Sequence, residues 1–343
     1  MFGGYYDYRS DTITHPTEAM KAAMAEAPLG DDGREGDPTT AKLQSLAAEI
    51  LGKEAALFLP SVTMANLIAL LLHGRPGSQV LMEADSHVYT SEFGGIGAVA
   101  GLVAKAIPGA GGTFDAEALS AAIADSFDPG LVWIENTHNM SGGAVWTVES
   151  TERVAEVCRG RPLPLHMDGA RLFNASIATG ASPRALAAGV DTVSLCLSKG
   201  LSCPFGGLLV GAHEVIEEAR KFRRRLGGSL RQSGIAAAAG IVALTSGVER
   251  LRDDHARAIE LVEALEGIEG LRVVRQPYQT NIVNVDVSGT GYTVAEFAAR
   301  LESHRVLVLP RPPRALRIVT HRHVAPEDIG PTIAAFEKAA RPA

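Results

Sequence analysis

The stretch Ser194-Leu195-Cys196-Leu197-Ser198-Lys199-Gly200 (SLCLSKG) runs apolar and then delivers a lysine and a glycine. With Val193 before it, the run predicts a strand covered on both faces of a parallel sheet, whose carboxyl end lies at the mouth of the fold. A lysine at such a place is costly unless it is used. Read alone, Lys199 also fits a side chain that lays its stem on the core and keeps its ammonium in water. The rest of the chain has to decide between these two readings.

The chain has 343 residues, 46% hydrophobic and 21% charged, enough for one large domain and a smaller one. A formal charge of −7 and a pI near 5.8 speak against nucleic acid or an anionic membrane as a partner, because both select a basic face. Small-molecule chemistry is the expectation. The start, MFGGYYDYRSD, has no basic stretch followed by an apolar one, and no apolar run approaches membrane-spanning length, so a cytoplasmic protein is expected. Cys158, Cys196 and Cys203 show no C-x-x-C spacing and no histidine placed to complete a zinc site. They predict buried packing residues, with neither a disulfide frame nor a metal.

From about residue 40 to 245 helix and strand patterns alternate: TTAKLQSLAAEILG, AALFLP, a helix from Thr63 through Leu72, QVLMEA, LVWIEN and LPLHMDG. Such alternation predicts a mostly parallel sheet flanked by helices, here assigned to a large α/β domain over 1–247. IAAAAGIVALTSG is apolar all round and predicts a buried helix. After Gly247 the texture changes to a charged helix (GVERLRDDHARAIELVEALEG), strands LRVVRQ, TNIVNVDV, RVLVLP and ALRIVTH, and helices TVAEFAARLESH and APEDIGPTIAAFEKAA. These predict a small α+β domain over 248–343. Two decoys fall away. Gly95-Ile96-Gly97 with Gly101 has the wrong last spacing for a dinucleotide fingerprint, and Asp31 through Asp37 has Lys42 where a calcium loop needs its glutamate.

In open α/β sheets ligands bind beyond the carboxyl ends of the strands, and three features lie there. Asp168 follows PLPLHM, Lys199 follows VSLCLS, and the turn of Ser61, Val62 and Thr63 follows AALFLP and opens the helix MANLIALLL. A helix start offers free backbone N–H groups and a positive dipole end, which suits a phosphate; alone it reads as an ordinary Ser/Thr cap. An amine, a carboxylate and a phosphate cradle at three strand ends together match what pyridoxal phosphate needs: a lysine for a Schiff base and a carboxylate to keep the pyridine nitrogen protonated.

These residues carry a resemblance. The chain resembles the fold-type-I pyridoxal-phosphate enzymes, and among them the low-specificity L-threonine aldolases of the β-eliminating lyase group. The matching segments are RSDTITHPTEAM (9–20), GDPTTAKLQ (36–44), KEAALFLPSVTMAN (53–66), ENTHN (135–139), HMDGARLFNA (166–175), SLCLSKGL (194–201), GGSLRQSG (227–234), TNIV (280–283) and RIVTH (317–321). The resemblance implies that Lys199 attaches the cofactor, Asp168 pairs with its pyridinium nitrogen, and His87 stacks on its ring. It implies that Ser61, Val62, Thr63 and Ser198 hold the phosphate, and that Arg171 lies at the cofactor and, with Arg317 and Ser10, grips the substrate carboxylate. It also implies that His138 lies near the substrate's β-hydroxyl, and that Arg231 reaches the phosphate of a neighbouring subunit in a homo-oligomer, dimer or tetramer, with shared active sites. Arg223-Arg224-Arg225 reads as a solvated or interface face. The family's phosphate turn reads Ser-Gly-Thr, whereas Val62 stands in the middle here, and a β-branched residue does not readily take φ > 0. Either the turn has a conformation open to valine, or the grip shifts toward Thr63 and Ser198.

The activity implied is retro-aldol cleavage of an L-β-hydroxy-α-amino acid, of the threonine or allo-threonine type, to glycine and an aldehyde. Its alternatives are a β-elimination or another reaction of the same cofactor, and a binding protein without turnover. The hydroxyl proton needs a base suited to neutral pH, for which His87 and His138 are candidates beside a bound water or the cofactor phosphate.

Overall fold

The computed structural model describes residues 3–341. Its centre is a seven-stranded sheet in the order Ala55–Leu59, Gly207–Gly211, Thr192–Cys196, Leu165–Gly169, Pro129–Glu135, Gln79–Glu83, Val103–Ile107. All neighbours run parallel except Gly207–Gly211, which is antiparallel to both of its partners. The strands Gln79–Glu83, Leu165–Gly169 and Thr192–Cys196 are buried at every residue, the state a continuous apolar run predicts.

The sequence reading missed two of these strands. Val103–Ile107 lies at the sheet edge and is partly exposed, so its pattern is weak. Gly207–Gly211 begins and ends in glycine and lies directly under the turn at residues 61–63. A Cβ at Gly207 would stand 2.7 Å from the Val62 backbone nitrogen, so the close approach excludes any side chain.

Local chemistry sets the helix ends. Asp37 caps Pro38–Leu51 by accepting from the Thr40 N–H at 2.8 Å, and Gly52 ends that helix at φ +64°. The apolar helix Gly234–Val242 packs against Glu18–Ala25 and Pro38–Leu51, and continues through a π turn at Ala243–Gly247 toward Leu251–Leu265. No single helix among the described residues is long and apolar enough to cross a membrane.

The C-terminal part holds a four-stranded antiparallel sheet in the order Leu309–Arg311, Ala315–Val319, Ile282–Asp286, Arg272–Val274. Helices Leu251–Leu265, Val294–Ser303 and Ile329–Ala340 cover it around a separate core that includes Leu261, Val285, Phe297, Ile318 and Phe336. Tyr8 joins that core from the other end of the chain, because Tyr6–Asp7 pairs in parallel with Val306–Leu307. The segment that follows, from Arg9 to Asp11, is thereby delivered to the carboxyl edge of the large sheet.

Candidate active site

Strands that run parallel bring their carboxyl ends to one edge. Glu83, Glu135 and Asp168 lie there, Glu135 directly opposite Asp168 in the ladder, with Lys199 three residues beyond its strand. The Lys199 carbonyl accepts from Thr14 Oγ1 at 2.7 Å and from the Ser202 N–H at 2.8 Å, which fixes the backbone beneath a half-buried ammonium. The glycine after the lysine has a steric cause: a Cβ at Gly200 would lie 2.9 Å from Leu251 Cδ2.

Asp168 is 2% exposed. Its Oδ2 accepts from Asn66 Nδ2 at 2.8 Å and its Oδ1 from the Ala170 N–H at 3.0 Å. Asn66 is itself oriented by Ser194 Oγ, which donates to its Oδ1 at 2.6 Å, and its amide nitrogen also donates to Glu92 Oε1 at 2.8 Å. Among the described residues no cationic side chain forms a hydrogen bond or ion pair with Asp168. A buried carboxylate supported only by neutral donors is costly without a positive partner, so Asp168 fits a pyridinium nitrogen.

The turn at residues 61–63 resolves the valine question. Ser61 is an extended N-cap (φ −152°, ψ 158°) whose Oγ accepts from the Met64 N–H at 3.1 Å, and Val62 is the first helical residue, with its side chain buried. The position needs no positive φ. The Val62 and Thr63 N–H groups have no acceptor within the helix, as at any helix start, and remain available for a phosphate.

His87 sits at the same edge. Its backbone N–H donates to Glu135 Oε2 at 2.6 Å, and its Nδ1 lies 3.0 Å from Glu92 Oε1. Burial disfavours the charged ring, but the Glu92 bond and the charges of Asp168, Glu135 and Glu92 outweigh it, so the His87 pKa is raised.

Two of the expected site residues already have partners within the chain. His138 does not offer a free nitrogen to a substrate: it is fully buried, its Nε2 is paired with Glu83 Oε2 at 2.9 Å, and its Nδ1 accepts from the Ser141 N–H at 3.3 Å. Its strand position was read correctly, but the neighbouring strand end supplies an acid that engages it. Arg171 is likewise engaged. Its Nε and Nη2 donate to Asp11 Oδ2 and Oδ1 at 2.8 and 2.7 Å, and its Nη1 donates to Asn139 Oδ1 at 3.3 Å. Both partners are buried. Burial works against the Asp11 charge, yet Arg171 holds its carboxyl far below the ordinary range. Removing one partner of such a pair typically costs about 3–5 kcal/mol. Asp11→Ala is therefore expected to lower unfolding free energy by about that amount in denaturant titration. Because the folded-state pKa is depressed, the wild-type contribution is complete above the unfolded value of about 3.9. It is lost as pH falls below that, so the Asp11→Ala deficit should shrink in acid.

Arg317 differs from Arg171. It is 6% exposed, its Nη1 donates to Asn139 Oδ1 at 2.7 Å and its Nη2 to the Arg9 carbonyl at 3.0 Å, while its Nε is buried without a partner. Burial, then Arg171 and Arg311, push its pKa down to about 9. This is a guanidinium lacking its carboxylate. Ser10 lies next to it in the chain's path, its Oγ accepting from the Thr12 N–H at 3.2 Å. Ser198 follows its strand beside Lys199, its Oγ 3.5 Å from Cys196 Sγ.

Arg231 stands apart from this cluster on the surface. Its side chain is 63% exposed, 3.4 Å from Asp31. Of the neighbouring arginine run only Arg224 and Arg225 face solvent. Arg223 is buried, with Nη2 2.7 Å from Asp32 Oδ2 and Nη1 donating to the Phe58 carbonyl at 3.0 Å, because the helix turns it inward.

Sequence reading did not assign Asp11, Asn66, Glu92, Glu135, Asn139 or Arg311. Asp11, Asn66, Glu135 and Asn139 lie inside segments that carried the resemblance, which was the available signal; Glu92 and Arg311 lie outside them.

A family model for beta-eliminating lyases matches residues 7–288. The low-specificity L-threonine aldolase 1 of Arabidopsis thaliana is 40% identical over 97% of this chain and 96% of its own length. The low specificity L-threonine aldolase of Escherichia coli (strain K12) is 40% identical over 94% and 96%. A solved threonine aldolase of Leishmania major superposes with a TM-score of 0.86 over 98% of this chain and 100% of that one, at 21% identity, a likeness of fold. With a fold-type-I architecture and near-full-length identity of this degree, the chain belongs to the beta-eliminating lyase family and, within it, to the low-specificity L-threonine aldolases.

Proposed function

We propose that the protein is a pyridoxal-phosphate-dependent aldehyde-lyase that cleaves the Cα–Cβ bond of an L-β-hydroxy-α-amino acid of the threonine type, yielding glycine and an aldehyde. The observation that carries this reading is Asp168, a buried carboxylate held by neutral donors and, among the described residues, in no ion pair, at the sheet edge that also presents Lys199. Lys199 would attach the cofactor, Asp168 would hold its ring nitrogen protonated, and the Val62 and Thr63 N–H groups with Ser61 and Ser198 would take its phosphate. When bound, the cofactor supplies an electron sink for the pair left at Cα.

The remaining steps belong to the chain. Arg317 orients the substrate carboxylate through its fork, with Ser10 beside it, and Arg171 holds the segment carrying Ser10 in place through Asp11. His87 would stack on the cofactor ring. With its Nδ1 engaged by Glu92, the neutral ring would present Nε2 as the atom to accept the β-hydroxyl proton. Purified holoenzyme offered a panel of β-hydroxy amino acids tests the whole reading: aldehyde and glycine support it, pyruvate and ammonia replace it by elimination, and a stable chromophore without products replaces it by binding alone.

The same reading includes a homo-oligomer, dimer or tetramer, whose sites are completed by Arg231 of a neighbouring subunit. Its support is an exposed guanidinium on a glycine-rich turn whose acidic partner among the described residues is Asp31 at 3.4 Å. Arg231→Ala is expected to weaken cofactor retention, and mixing it with Lys199→Ala protein should restore part of the activity through hybrid sites. A fully active monomer in sedimentation contradicts it. The acidic charge and three buried, unpaired cysteines favour the cytoplasm. The same reading divides the chain into 1–247 and 248–343; its support is a core drawn from Ala258 onward together with Tyr8, while Leu251 still packs in the core of the large domain.

A further inference from the structure

Three guanidinium groups act on one another beside the site, and one of them has a carboxylate. Arg171 is matched by Asp11, whereas Arg317 has only neutral oxygens. The Arg311 side chain makes no hydrogen bond or ion pair among the described residues, and its Nε is sealed from solvent. Strand register explains its position. Leu309 lies directly opposite Arg317 in the antiparallel pair, so Arg311, two residues on, shares that face and is the diagonal neighbour of Arg317. Burial and then the charge of Arg171 work against the Arg311 cation. Arg317 is buried and Arg311 partly buried, so two guanidinium groups without a carboxylate on one sheet face make a place where an anion would gain. An ordinary α-amino acid brings one carboxylate, which Arg317 takes.

We propose that Arg311 receives a second acidic group, carried on the β-carbon, so that the preferred substrate is a β-hydroxy-α-amino dicarboxylic acid, with β-hydroxyaspartate the simplest. The inference rests on the aldol-cleavage reading above. The two carboxylates of this substrate are separated by the two carbons whose bond breaks, and flexible arginines at diagonal positions can take one each. The reaction balances without an oxidant or reductant. The hydroxyl proton leaves, the Cα–Cβ bond breaks, Cβ becomes the carbonyl of glyoxylate, and the electron pair left on Cα takes up a proton to give glycine.

The test joins binding to turnover. L-aspartate and L-2-aminobutyrate have no β-hydroxyl and so cannot undergo this cleavage. Calorimetry on the wild-type holoenzyme should show aspartate binding about tenfold or more tighter, as expected for a charged hydrogen-bonded pair. The kcat/KM for β-hydroxyaspartate should exceed that for threonine by a similar factor. Arg311→Gln should erase both preferences, the loss falling on aspartate and β-hydroxyaspartate far more than on 2-aminobutyrate and threonine. Equal binding of aspartate and 2-aminobutyrate to the wild type overturns the proposal whether or not the variant folds, and so does an equal loss for both substrates in Arg311→Gln. If aspartate is preferred through Arg311 but neither hydroxy amino acid is cleaved, the acidic-ligand assignment stands and the aldol reading falls.

Discussion

Lys199→Ala is expected to leave a folded protein whose turnover is lower by roughly a thousandfold or more, the scale on which loss of a covalent-catalysis group is read. The variant should fold because the Lys199 ammonium is not part of any ion pair among the described residues. The contacts that fix this turn run through its backbone carbonyl, which accepts from Thr14 and Ser202 and survives the change. Thermal unfolding should therefore shift little, and circular dichroism should be unchanged. Borohydride treatment followed by desalting separates the outcomes: wild type should keep a covalently fixed chromophore, and Lys199→Ala should lose it. A variant that still traps the chromophore at this site would remove Lys199 from its role.

Arg317→Ala is expected to lower kcat/KM for threonine by about 30-fold to several thousand-fold, which corresponds to roughly 2–5 kcal/mol for truncating one partner of a buried charged pair. The cofactor chromophore should remain, because Arg317 comes from the C-terminal sheet and its hydrogen bonds go to Asn139 and the Arg9 carbonyl, neither of which is assigned to hold the cofactor. Stability provides a second readout with the opposite sign to Asp11→Ala. Arg317 is a buried cation without a carboxylate, repelled by Arg171 and Arg311, so removing it should leave the free protein as stable as before or more so. Arg317→Lys should recover little, since a point charge does not reproduce a bidentate fork. Near-normal kcat/KM in Arg317→Ala would take Arg317 out of the substrate site.

The contrast between the two buried arginines shows where sequence reading stops. Arg171 and Arg317 look alike as residue types, and both fit a carboxylate grip. Their partners within the chain differ in one residue, Asp11, which lies 160 positions before Arg171 and takes two of its nitrogens. His138 repeats the lesson. It follows its strand as expected, but Glu83 from the adjacent strand end occupies its Nε2. Nothing local to His138 predicts which acid will stand beside it.

What the sequence by itself determined was the set of strand-end positions. Lys199, Asp168 and the turn at residues 61–63 each follow a short apolar run, and a parallel sheet must bring such ends to one edge whatever else the chain does. The alternation of helix and strand settled the fold class for the same reason, because burial patterns are local and periodic. Tertiary structure alone decided the antiparallel insertion of Gly207–Gly211, the docking of residues 6–8 against Val306–Leu307, and the charge bookkeeping of Arg171, Arg311 and Arg317. Each of these depends on which distant atom fills a given neighbouring space or satisfies a given charge. Electrostatic and hydrogen-bond partners act over a few ångströms in space and are indifferent to separation along the chain, so residue type and spacing cannot specify them.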